Sequence, residues 1–324
     1  MRSRPSRLLR GKESLRQQWT ARRRGLALAA LTLCTSVATA QAAAPQQPEA
    51  GQSSPSVSMA GKKTDKVRYG NRVSVAGSVS PGGAGRTVSL QYAQNGGSFK
   101  QLATTTTAAD GSYRFVPRAR RSGSYRAVAD GVAASAPKRV TVVGSLKART
   151  STRHSIGGRK VTASGRLLPA VSGRKVKLQV RSGRRWRTVD TTRTRSGGRL
   201  RAAWRPSGPG RHKLRLRFGG DRLAAAAGDR LRVNSYRAGS ASWYGPGLYG
   251  NNLGCGGTLT PSTVGVANKS LPCGTRVTFR YRGRSVTARV VDRGPYVAGR
   301  EWDLTEALKR KLHFPSTGTV WTTR

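Results

Sequence analysis

The run Val290-Val291-Asp292-Arg293-Gly294-Pro295 ends a β-branched stretch on a carboxylate and follows it with a Gly-Pro turn. A strand that stops on Asp292, with a tight turn behind it, holds the carboxyl at the rim of a small barrel. A carboxyl fixed in that way is a candidate general acid for cleaving a glycosidic bond. Residues 239–324 carry four acidic side chains, Asp292, Glu301, Asp303 and Glu306, and Asp292 is the one most strongly framed by strand and turn. The same Asp, set before Arg-Gly-Pro, also fits an Asx-type turn with a purely structural role. Further candidates for ligand contact surround it. Tyr296, just after the turn, is placed to line a groove. Arg293 suits either a pair with Asp303 or a carboxylate of the ligand. Trp243 and Tyr244 either line the groove or fill the barrel floor. Asn268 can orient a sugar hydroxyl but cannot shuttle a proton.

These residues need a scaffold, and the local pattern supplies one. Short β-rich runs cover 275–279, 284–291 and 318–322. One helix is predicted over 303–312, where Leu304, Leu308 and Leu312 recur at four-residue intervals and share a face. Asp303 or Thr305 is positioned to cap its start, and Lys309-Arg310-Lys311 suits its C-terminal end. Cys255 and Cys273 lie 18 residues apart (273 − 255). An even pair in an exported chain reads as one disulfide. The chain has three His, none near either Cys, so neither a metal site nor a cofactor is expected.

Upstream, the chain repeats itself. Gly85-Arg86-Thr87-Val88-Ser89-Leu90-Gln91 corresponds to Gly173-Arg174-Lys175-Val176-Lys177-Leu178-Gln179, at an offset of 88 (173 − 85). Each copy alternates apolar and polar residues in short runs between Gly/Ser/Pro turns, the pattern of a β-sandwich. The Asp110-Gly111-Ser112-Tyr113-Arg114-Phe115 run resembles bacterial immunoglobulin-like or fibronectin-like modules. Phe99 and Trp186, at matching positions, fit either a core or half-buried place on a strand or a surface for stacking sugars. The expected organisation is a signal peptide over 1–42, a disordered linker over 43–65, β-sandwich repeats over 66–145 and 146–236, and a C-terminal domain over 237–324. The fold class is therefore mostly β.

The 61 Lys+Arg against 12 Asp+Glu give a formal charge of +49. Such a field attracts polyanions in a salt-dependent way. Arg22-Arg23-Arg24, an apolar run from Gly25 to Cys34, and small residues from Ser36 to Ala42 read as an export signal. The apolar run is short for a membrane span, and none is expected in the mature chain. Leu33 before Cys34 does not suit lipoprotein anchoring at that Cys. Export argues against nucleic acid and leaves anionic wall polymers as candidate partners. The expected location is secreted or associated with a bacterial cell wall.

Four motifs occur in order: Ala241-Ser242-Trp243-Tyr244-Gly245, Leu271-Pro272-Cys273-Gly274-Thr275, Val291-Asp292-Arg293-Gly294-Pro295-Tyr296 and Asp303-Leu304-Thr305. Together they resemble the rare lipoprotein A (RlpA) family over about residues 239–324. The resemblance implies a six-stranded double-psi β-barrel with one short helix, and peptidoglycan glycan strands as ligand. It implies lytic transglycosylase activity, in which one carboxyl, here Asp292, protonates the leaving oxygen and then accepts the proton of the attacking sugar hydroxyl. Active members of the family carry a Glu in an Asn-Gly-Glu turn and a His before a Lys. Here the matching positions are Gly257 and Asn268. Two readings follow: an enzyme built on Asp292, or a non-catalytic module that binds or loosens the wall.

Overall fold

The computed structural model describes residues 54–324. The expected signal segment, Cys34 and the first part of the expected linker lie outside them. The regular elements of the described chain are strands, apart from one α-helix and one short 3-10 turn.

The first unit holds β1 (Ser56–Val57), β2 (Thr64–Arg68), β3 (Val75–Ser80), β4 (Thr87–Gln94), β5 (Lys100–Thr106), β6 (Ser112–Phe115), β7 (Gly123–Ala129) and β8 (Lys138–Val143). They form a three-stranded sheet, β1-β3-β6, and a five-stranded sheet, β2-β8-β7-β4-β5. Strand β7 shows why: its residues alternate buried and half-buried, so one face enters the core. Val75 and Phe115 from one sheet meet Leu90, Tyr125 and Val142 from the other in a shared core. The expected linker over 43–65 is corrected from residue 56 onward. Val57 enters this core, which draws a Ser- and Pro-rich segment in as an edge strand beside β3.

The second unit repeats the plan with β9 (Ser145–Thr150), β10 (His154–Ile156), β11 (Val161–Leu168), β12 (Lys175–Ser182), β13 (Arg185–Arg193), β14 (Arg199–Trp204), β15 (Gly210–Gly220) and β16 (Ala225–Tyr244). Sheet β9-β11-β14 faces sheet β10-β16-β15-β12-β13 across a core of Leu167, Leu178, Leu216 and Val233, among others. The copies match down to a β-bulge, which falls between Leu90 and Gln91 in one and between Leu178 and Gln179 in the other.

Strand β16 runs through the expected boundary at residue 236. Its first part pairs with β15 as far as Ser235, and from Arg237 it joins the C-terminal domain. There it is met by β17 (Gly265–Ala267), β18 (Arg276–Tyr281), β19 (Arg284–Asp292), β20 (Trp302–Thr305), α1 (Glu306–Leu312) and β21 (Gly318–Thr322). The pairing closes on itself in the order β16-β20-β17-β19-β18-β21-β16. A closed ring of six strands, two of its pairs parallel, fits a double-psi type of barrel. Val266, Phe279, Trp302 and Leu308 fill it. The helix is shorter than its periodicity predicts. Asp303 and Leu304 belong to β20, because Trp302–Thr305 pairs in parallel with β16. Thr305 stands at the helix N-cap position, and its hydroxyl bonds the backbone of Gly265 instead of capping. Among the described residues no helix is long and apolar enough to cross a membrane.

Candidate active site at the barrel rim

Asp292 is the last residue of β19 and sits where the ladder to β17 slips. Val266 registers with Val290, but Ala267 registers with Asp292, so one residue bulges out. A bulge re-aims the side chains beside it. Asp292 Oδ1 accepts two backbone hydrogen bonds, from Gly254 and Arg293, each 2.8 Å. The Arg293 bond is local but reaches only the next residue, one short of the bond that defines an Asx turn. The Gly254 bond is not local and fixes the carboxyl against the facing loop. A Cβ at Gly254 would stand 3.0 Å from Asp292 Oδ1, so only glycine allows this approach without displacement. Gly294, at a φ of 114°, makes the turn that follows.

The Cys255–Cys273 disulfide forms as expected. It joins the Gly254 loop to the segment before β18. Cys255 N donates to Val291 O and Gly274 N to Val290 O, so both ends of the staple rest on the end of β19. The cross-link therefore supports the donor that holds Asp292.

A second carboxyl lies close by. Ala267 registers with Asp303 on its other side, so Asp292 and Asp303 flank the same small residue from neighbouring strands. Asp303 Oδ1 accepts from Ser242 Oγ at 2.7 Å. Burial holds the Asp303 carboxyl above the usual carboxylate range, and the Asp292 charge adds to this, against the opposing pull of Ser242 and Arg300. Sequence periodicity assigned Asp303 to a helix start. The alignment of strands around Ala267 places it beside Asp292, which helical periodicity does not show.

Tyr244 joins this pair. Its hydroxyl is buried and lacks a hydrogen-bond partner. Burial pushes the phenol up, and the nearby charges of Asp292 and Asp303 push it further. The hydroxyl lies close enough to Asp292 for that carboxylate to act on it both as a charge and as a weak acceptor, outside ordinary hydrogen-bond geometry.

The other expected contact residues separate into two groups. Tyr296 is 83% exposed and free to meet a ligand. Trp243 is half-buried against the barrel core, with Lys309 Nζ 3.5 Å from its ring centroid. Arg293 forms no ion pair with Asp303. Its guanidinium donates to the carbonyls of Asn268 (3.2 Å) and Leu271 (2.7 Å) and contacts Cys273 Sγ, which ties the loop before β18 to the turn after β19. Asn268 is buried, and its amide bonds Glu301 O on one side and the N–H groups of Ser270 and Leu271 on the other. It anchors a loop.

Residues 236–322 match the lytic transglycolase family model, a double-psi β-barrel domain. This stretch is also 38% identical over 88 residues to a probable endolytic peptidoglycan transglycosylase RlpA of Synechocystis, covering 26% of this chain and 27% of that protein. Against the endolytic peptidoglycan transglycosylase RlpA of Campylobacter jejuni the identity is 40% over 92 residues, covering 28% and 34%. Against that of Pseudomonas aeruginosa it is 41% over 91 residues, covering 27% of each chain. The chain spans about a third or less of the length of these curated relatives. The barrel is thus a double-psi-type domain related to RlpA lytic transglycosylases.

Proposed function

We propose that the barrel is a secreted or wall-associated lytic transglycosylase acting on the glycan strands of peptidoglycan, with Asp292 as its acid and base. The observation that carries this reading is the pair of carboxyls flanking Ala267. Asp292 is oriented by two backbone donors, and Asp303 is half-buried on the other side of Ala267 with a raised affinity for its proton. The turn at Cys255-Gly256-Gly257 holds no carboxylate. Asp303 supplies a second acidic group from a different strand.

In the proposed reaction, Asp292 gives its proton to the oxygen leaving MurNAc C1 as the C1–O bond breaks. The MurNAc C6 hydroxyl oxygen then bonds to C1, and its proton passes to Asp292. Bonds and protons balance without water, and the product carries a 1,6-anhydro end. Asp303 and Tyr244 are positioning residues. Asp303 stands beside Asp292 across Ala267, and a sugar oxygen entering beside Tyr244 would give its hydroxyl a partner in better geometry than Asp292 does. Tyr296 is the exposed aromatic available to the glycan. The two upstream units, which we read as immunoglobulin-like repeats, hold the barrel away from the point of export.

The test is mass spectrometry of products from peptidoglycan, intact and stripped of peptides, with the native protein and Asp292→Asn. Anhydro-muramic ends that vanish in the variant are expected. Sacculus binding by both proteins with no product from either would overturn the enzyme reading in favour of a binding module.

A further inference from the structure

Both upstream units carry a concavity at the same place, on the outer side of the three-stranded sheet. In the first unit it is about 590 Å³ and lined by Ser58, Ala60, Ser78, Ala108, Ser112 and Arg114, among others. In the second it is about 750 Å³, and its lining includes Lys147, Arg149, Arg166, Arg195, Arg199 and Arg201. The two sets superpose by strand register. Ser78 pairs with Ser112 as Arg166 pairs with Arg199, and Ala76 pairs with Arg114 as Ser164 pairs with Arg201. Ser58 N bonds Ser78 O where Lys147 registers with Arg166. Ala108 N bonds Ser112 O as Arg195 N bonds Arg199 O. Gly77 and Gly165 occupy matching floor positions, and in each a Cβ would strike a backbone carbonyl of the neighbouring edge strand. One scaffold therefore carries one cation in its first copy and six in its second.

The six cations have no acidic counterpart. Among the described residues none of them forms a salt bridge. Asp229 and Asp190, the carboxylates that reach this sheet, accept from the backbone N–H groups of Ala148 and Ala203. Within the row, Arg166 lies directly between Lys147 and Arg199. Like charges facing across strands oppose folding, so the row is a cost unless an anion covers it. Neighbouring rows stand about 7 Å apart along each strand and neighbouring strands about 5 Å apart, so the cations form a ladder and not a point.

We infer that this concavity binds a linear wall polymer whose polyol units are joined by phosphodiesters. A ladder of guanidinium forks matches a chain of regularly spaced phosphate oxygens. No aromatic side chain lines the concavity, so the base-stacking platform of single-stranded nucleic-acid sites is missing. The site holds the protein to the wall, separately from the glycan groove of the barrel. It rests on the wall reading for its ligand and on the repeat comparison for its location.

The opposite sheet of the same unit provides a charge-matched control. Arg215 of that sheet, which bonds Gln179 and lies over Trp186 as Arg126 bonds Gln91 and lies over Phe99 in the first unit, is left in place. One variant replaces five concavity cations by their first-unit counterparts: Lys147→Ser, Arg149→Ala, Arg166→Ser, Arg195→Ala and Arg199→Ser. The other does so on the opposite sheet: Lys175→Thr, Lys177→Ser, Arg181→Ala, Lys213→Ser and Arg217→Val. Each loses five charges, and each uses residues that the first unit already accommodates. Binding of the full-length protein to purified poly(glycerol phosphate), free of peptidoglycan, is measured by fluorescence anisotropy at several salt concentrations, with duplex and single-stranded DNA as parallel arms. The concavity variant is expected to lose at least about 10-fold in affinity and the control less than about 3-fold. Equal losses would mean that net charge alone acts and would overturn the site. Absence of binding by the unaltered protein would do the same. DNA binding of equal strength, lost in the same variant, would overturn the ligand class. Because no glycan is present, failure here leaves the barrel reaction untouched, and loss of the barrel reaction leaves this measurement intact.

Discussion

The barrel and the second repeat handle polar groups in opposite ways. Around the bulge at the barrel rim the charged groups are few, and each is hydrogen-bonded. Asp292 takes two backbone donors, Asp303 takes Ser242, and Arg293 binds three loop atoms. In the second repeat they are many and mostly exposed, and the first repeat shows that the same frame holds without them. A site of the first kind acts through geometry, so one atom matters. A site of the second kind acts through summed charge, so any single member matters little. The contrast predicts steep effects of single substitutions in the barrel and shallow ones in the repeat.

The largest effect is expected at Asp292. An Asn there keeps an acceptor oxygen for Gly254 and Arg293 but cannot donate or take the proton. Product formation should fall about 100- to 10,000-fold with the fold intact, measured as anhydro ends per unit time beside a circular dichroism spectrum. Residual rates near the native one would remove Asp292 from the chemistry and blur the contrast.

Next is the disulfide. Replacing both Cys255 and Cys273 by Ser opens an 18-residue loop that a cross-link otherwise constrains. The barrel should lose about 3 kcal/mol of stability in denaturant titration. Activity should fall further than stability explains, because the Gly254 donor to Asp292 is then held only by its loop and the backbone bond from residue 255 to Val291 O. A stable but sluggish double variant would locate the cross-link's role in the site.

Asp303 should show itself in pH dependence. Its carboxyl is raised in the folded barrel, so it contributes no penalty below the ordinary carboxylate range, where folded and unfolded chains are both protonated. As pH rises from there through the raised value, the folded state must release a proton it holds more tightly, and stability is lost. Asp303→Asn removes that loss. The variant should therefore gain on the native protein in melting temperature as pH rises from about 4, and match it below. Melting curves with the same pH dependence for both proteins would sink the coupled pair.

How much of this the amino-acid sequence discloses depends on the range of the interaction that decides each feature. Asp292, its turn and the Cys pair are legible because strand, turn and spacing are local patterns. The repeats are legible because the chain states them twice. Asp303 is not, since three Leu at helical spacing point to a helix while pairing with β16 draws the first of them into a strand. Asn268 looks like a sugar ligand by its place in a motif. Its burial and three backbone bonds follow from contacts with residues as far off as Glu301. The concavity in the second repeat is hidden for the same reason. Lys147, Arg166 and Arg199 become neighbours only when three strands align, and in sequence they are lost among 61 basic residues.

The smallest effect sharpens the contrast from the other side. Arg199 is exposed and registers beside Arg166, which already has Lys147 on its far side. Removing one charge from such a row also removes repulsion, so Arg199→Ser should leave stability within about 0.5 kcal/mol or raise it slightly. Its effect on poly(glycerol phosphate) binding should be a shallower salt dependence, by about one unit of slope in a plot of log affinity against log salt, with little change in affinity at physiological ionic strength. A loss from this one substitution as deep as that of the fivefold variant would mean that the concavity works as the barrel does, through one fixed contact, and the distinction between the two regions would fail.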